Sequence, residues 1–134
     1  MVEQTVDCKT LKGALAYAFN LVEKYNRNFR ESAEPLEGSI WYNKRKDVDV
    51  GYIIGFQAGT VSKGNFVQCR LDCDIKNVPH INVKLGDNQT GATYFLKFQG
   101  FQNSSNLDMM HRHMETLNSK SGKEIVKRLE DMAQ

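Results

Sequence analysis

The chain has 134 residues, the size of one ordinary domain, and can bury a core without disulfide or metal staples. Hydrophobic residues make up 40% and charged residues 25%, and with only two prolines extended disorder is not expected. The net charge of +2, from 18 basic and 16 acidic residues, permits a nucleic-acid partner without calling for one.

No apolar run approaches the ~18–20 residues that a membrane helix needs, so no membrane span is expected. Met1 to Lys12 are polar and mixed in charge and carry no recognisable signal peptide. In a longer parent protein, an export signal would lie elsewhere. Cys69 and Cys73 sit four apart in a strand pattern, roughly 13 Å between Cα atoms, whereas a disulfide needs about 4.4–6.8 Å. There is no Cys-x-x-Cys of the metal-binding type. Buried free thiols in a reducing compartment are the expectation, with no metal and no cofactor.

The first element is helical. Leu11, Leu15, Ala18, Val22, Tyr25 and Phe29 fall on one stripe, and the helix is expected to end before Pro35. Strand patterns follow. Gly38 to Asn43 contains Ile40, Trp41 and Tyr42, and Lys44 to Asp47 reads as a turn. Val48, Val50, Tyr52, Ile54 and Phe56 alternate. After a Gly- and Ser-containing loop, Val67, Cys69, Leu71, Cys73 and Ile75 alternate again. Ile81, Val83 and Leu85 mark a fourth strand, and Gly86 to Gly91 a hairpin turn. Ala92, Tyr94, Leu96 and Phe98 share the apolar side of a fifth. Two C-terminal helices are predicted. One carries Leu107, Met110, Met114 and Leu117; the other opens on the capping box Ser121-Gly122-Lys123-Glu124. The expectation is a single α+β domain over residues 1–134: an N-terminal helix, an antiparallel sheet of about five strands, and two C-terminal helices.

The opposite side of these strands is polar. Alternation places Gln68, Arg70, Asp72 and Asp74 on one strand, His80, Asn82 and Lys84 on the next, and Thr93, Phe95, Lys97 and Gln99 on the last. If the strands are neighbours, this set has the parts for cleaving RNA without a metal ion, by attack of the ribose 2′-OH on its own phosphate. His80 can serve as base or acid. Arg70, Lys84 and Lys97 can hold the phosphate. Asp72 can orient the histidine or an arginine, Thr93 can donate a hydrogen bond, Asn82 can contact the substrate, and Phe95 can stack on a base. A plain wet sheet face has the same pattern. His111 and His113 are two apart on a predicted helix, on nearly opposite sides, and so cannot share a metal; His111, beside Met110, can complete the site from the sheet edge. Lys44-Arg45-Lys46 is either an RNA-touching tip or a solvated turn.

The stretch Pro79-His80-Ile81-Asn82-Val83-Lys84-Leu85-Gly86, followed by Gly91 to Gly100, resembles segments of C-terminal nuclease toxin domains in bacterial polymorphic and contact-dependent growth inhibition systems, of the barnase, EndoU, colicin and RelE group. The resemblance covers about residues 66–100. It implies a histidine and basic residues on the sheet, here His80, Lys84 and Arg70. It further implies tRNA or rRNA as substrate and export as part of a larger protein. It implies action in the cytoplasm of a target cell and neutralisation by a cognate immunity protein. Two C-terminal helices depart from this pattern, since many such toxins end on a strand. Two other readings compete. One is a non-enzymatic, cystatin-like α+β binding module; the other is the inhibitor or immunity partner of such a system. A toxin resists expression without a neutralising neighbour, whereas a binding module expresses freely.

Overall fold

The computed structural model describes residues 2–36, 39–43, 48–73, 80–87, 89–99 and 121–133. Seven strands form one sheet: β1 (Val2–Lys9), β2 (Glu34–Leu36), β3 (Ser39–Asn43), β4 (Val48–Ala58), β5 (Val67–Cys73), β6 (His80–Leu85) and β7 (Ala92–Phe98). They occupy six positions in the order β1-β7-β6-β5-β4-β2, because β2 and β3 both pair with β4, alongside Gly55–Gln57 and Val48–Tyr52 respectively. The helices are α1 (Leu11–Tyr25), α2 (Phe29–Ser32) and α3 (Gly122–Met132).

The α+β class and all five predicted strands are present, and β4 to β7 form the expected antiparallel meander. Two expectations are corrected. The sheet is mixed and larger than five strands, since Val2–Lys9 is a strand that runs parallel to β7, with Val2 opposite Ala92 and Val6 opposite Leu96. The N-terminal segment looked irregular because Gln4 interrupts its alternation. Val6 and Cys8 nevertheless pack against the core, and parallel pairing to a buried strand supplies the rest. The helix also does not run on to Phe29. It stops at Tyr25 because the Asn26 carboxamide claims the backbone, donating to the Asn65 carbonyl at 2.9 Å and accepting the Asn28 N–H at 3.1 Å. Phe29 reaches the core from the separate turn α2. The predicted helix over Leu107–Leu117, the Lys44–Arg45–Lys46 tip, Asp74, His111 and His113 lie outside the described residues.

Local chemistry explains the element ends. Thr10 caps α1 through its hydroxyl, which accepts the Gly13 N–H at 2.9 Å. Ser121 does the same for α3 with the Glu124 N–H at 3.2 Å, as the capping box predicted. At the β6–β7 turn, Asp87 Oδ1 accepts the N–H groups of Gln89 and Thr90 and the Thr90 hydroxyl, which holds its carboxyl below the usual range.

One side of the sheet and the faces of α1 and α3 enclose the core. Leu15, Val22, Phe29, Phe56, Val67, Val83, Leu96, Phe98 and Ile125 are fully buried. The Phe56 ring stacks on those of Phe19 and Phe29, which are tilted to each other, with centroids 5.6–6.1 Å apart. Cys69 lies in this core, where burial pushes its thiol up to about 12, so it stays protonated and inert. Gly122 lets α3 approach the Ala33 backbone more closely than any side chain permits.

Candidate functional site

The register sorts the polar side of the sheet into three cross-strand rows. The first joins Asp72, His80, Lys97 and, on β1, Asp7. The second joins Gly55, Arg70, Asn82, Phe95 and Thr5, and the third Gln68, Lys84, Thr93 and Glu3. Successive rows are two residues apart, about 6.6 Å. The sequence grouping is therefore real as a face but not as one cluster. His80 and Lys97 are direct cross-strand neighbours, whereas Lys84 and Thr93 sit four residues along, roughly 13 Å away.

This side is less wet than an ordinary exposed sheet face. His80 is only 4% exposed, Asn82 7% and Asp72 9%. Lys84, Thr93, Phe95 and Lys97 are half-buried. The Arg70 Nε–H reaches both Asp72 oxygens, at 2.9 and 3.1 Å. Asp72 Oδ2 also lies 3.6 Å from His80 Nε2, a distance that serves a protonated imidazole as an ion pair but is too long for a hydrogen bond. Asp72 thus stands between a guanidinium and an imidazole, and Arg70 works through the carboxylate instead of pointing its Nε at a substrate. Gly55 makes room for this arrangement, because a Cβ there would come within 2.6 Å of Arg70 Cβ. The Phe95 ring tilts against the imidazole with centroids 5.5 Å apart.

A cavity of about 220 Å³ opens beside this group, lined by Thr5, His80, Phe95 and Lys97. Thr5 is exposed at the sheet edge and His80 is buried, so the cavity leads from solvent to the imidazole. Among the described residues neither Lys97 nor Lys84 has an ion-pair partner. Among the described residues, a half-buried ammonium without an ion-pair partner stands beside an imidazole in a cavity that none of their carboxylates lines, an arrangement that favours an anion.

Two larger clefts lack this bias. One, of about 410 Å³, lies between α2 and α3 and balances Arg30, Lys123 and Lys127 against Glu31, Glu130 and Asp131. Its arginine is already held by Glu130, at 2.7 and 2.9 Å. The other, of about 380 Å³, at the β4–β5 loop, balances Lys63 against Glu34. Among the described residues, neither is lined by a histidine. Among the described residues, no three His, Cys, Asp or Glu side chains converge as a metal site, and no helix is long and apolar enough to cross a membrane.

Sequence reasoning missed Thr5. Its one signal was the pair of inward residues that follow it at even positions, Val6 and Cys8, which turn Thr5 to the polar side once the segment is read as a strand. No family model, curated protein or solved structure matches this chain.

Proposed function

We propose that the His80 cavity is the active site of a metal-independent endoribonuclease. The observation that carries this reading is the pairing, in one cavity, of a buried carboxylate-backed histidine with an ammonium that has no counter-ion among the described residues. Transphosphorylation requires a base at the 2′ oxygen, a cation on the phosphate and an acid at the leaving oxygen. His80 takes the 2′ proton, and Asp72 steadies the resulting imidazolium. Lys97 and the Thr5 hydroxyl hold the non-bridging oxygens. The O2′–P bond forms and the P–O5′ bond breaks, and the leaving 5′ oxygen takes its proton from the Lys97 ammonium. The products are a 2′,3′-cyclic phosphate and a free 5′-OH. Phe95 offers a ring on which a base can stack.

The toxin setting rests on the resemblance of residues 66–100 alone. In that setting the substrate is tRNA or rRNA, and an immunity protein places acidic groups over the polar face.

A second reading has its own support in the 4% exposure of His80. A non-enzymatic module can use the same cavity to hold a small anion, with His80 as a buried wall and Asp72 behind it. Incubating the protein with total tRNA and rRNA in EDTA, beside His80→Ala, separates the two. The catalytic reading expects fragments ending in 2′,3′-cyclic phosphate from the first, and at least about 100-fold less cleavage from the second. RNA left intact by both proteins overturns it in favour of the anion-binding module.

A further inference from the structure

Beyond the cavity, the second and third rows of the polar face contain two groups that chemistry at His80 does not use. Lys84 is half-buried and has no ion-pair partner among the described residues. Asn82 is only 7% exposed as a residue, and none of the side-chain hydrogen bonds between described residues involves its carboxamide. A buried amide without a partner costs roughly 1–3 kcal/mol, so its persistence points to a ligand or water that satisfies it.

The register sets these groups in order. Lys97 lies in the first row. Phe95 and Asn82 face each other across β6 and β7 in the second, and Lys84 lies in the third opposite Thr93. With strands about 4.8 Å apart and a rise of ~3.3 Å per residue, the two lysine Cα atoms are about 14 Å apart, with an aromatic ring and an amide between them. Glu3 and Asp7 on β1 are the carboxylates that bound this strip at the sheet edge. Cation, ring with amide, and cation is the order that a single nucleic-acid strand presents as phosphate, base and phosphate. A carboxamide offers a donor and an acceptor to a base edge, but only a base that has left its stack can meet both the amide and the ring.

We infer that the polar face is a track for single-stranded RNA at least three nucleotides long, with one phosphate on Lys97, the next on Lys84, and the base between them on Phe95 and Asn82. This inference deepens the ribonuclease reading and rests on the same face.

The test uses the intact protein and 2′-O-methyl oligonucleotides, which lack the nucleophile and so report binding alone. A dinucleotide has one internucleotide phosphate and a trinucleotide two. In the unaltered protein, lengthening from two to three nucleotides tightens binding by about tenfold, and in Lys84→Gln by less than about twofold. The slope of log K against log salt for the trinucleotide also falls by about 0.7 in Lys84→Gln, the value of one lost single-strand phosphate contact. Asn82→Leu flattens the preference among trinucleotides that differ in the central base. An equal length step in the unaltered protein and Lys84→Gln, or equal binding of a hairpin duplex, overturns the track. A length step without cleavage of the unmethylated trinucleotide sinks the catalytic reading and leaves the track standing. Cleavage without a length step does the reverse.

Discussion

The two sides of strands β5 to β7 are built from the same alternating segments, yet they are filled on opposite principles. On the core side, Val67, Cys69, Leu71, Ile81, Val83, Leu96 and Phe98 are buried with α1 in one apolar cluster. On the other side, His80, Asp72 and Asn82 are almost as deeply buried but are polar. Lys84 and Lys97 stand half-buried without counter-ions among the described residues. The core side is arranged for stability, since apolar burial is non-directional and near-maximal. The polar side accepts desolvation of charged and hydrogen-bonding groups that folding alone does not reward, and the proposed site draws on those groups.

That contrast breaks most sharply at Phe56. Truncation to Ala removes a ring stacked on both Phe19 and Phe29 and should cost about 3–5 kcal/mol. Urea denaturation should show the lower midpoint, and RNA or phosphate binding measured below it should be unchanged. A substitution between the two sides in character is Asp72→Asn. It keeps the shape but withdraws the charge that Arg70 and His80 share, so stability should fall by roughly 1–3 kcal/mol. Cleavage should fall at least about tenfold through kcat more than KM, because the histidine loses its orienting carboxylate. Partial recovery of kcat in Asp72→Glu would mark orientation, and equal loss in both variants would mark a merely structural pair.

How much of this was legible follows from the physics of each element. The strands from Val48 to Phe98 were readable because their apolar residues alternate, Val67 to Leu71 and Ile81 to Leu85 without interruption, and Ser39–Asn43 through its consecutive Ile40, Trp41 and Tyr42. The α3 capping box was readable because Ser121 and Glu124 are a local signal. The end of α1 was not, because Asn26 acts through Asn65, a partner 39 residues away, and no local pattern reveals that bond. β1 was unreadable for a related reason: its pairing with β7 joins the two ends of the sheet sequence, and Gln4 hides the alternation. The site followed the same division. His80, Asp72, Asn82, Phe95 and Lys97 could be assigned to one face from parity alone. Parity does not give the distance along a strand, so Lys84 and Thr93 were grouped with His80 although they stand two rows away. Thr5 was missed with its strand; that Asp72 orients a histidine or an arginine was legible, but its bidentate hold on the Arg70 Nε–H depends on rotamers that no pattern encodes.

The smallest change tests the most. Lys97→Ala removes one half-buried ammonium from the cavity and should alter stability by no more than about 0.5 kcal/mol. The direct measurement is an NMR titration of the assigned His80 imidazole with inorganic phosphate, in the unaltered protein and in Lys97→Ala. A saturable shift of the His80 resonances, weakened at least about tenfold in Lys97→Ala at an unchanged melting temperature, is the predicted result. No shift at His80, or the same shift and affinity in both proteins, would contradict an anion site between His80 and Lys97.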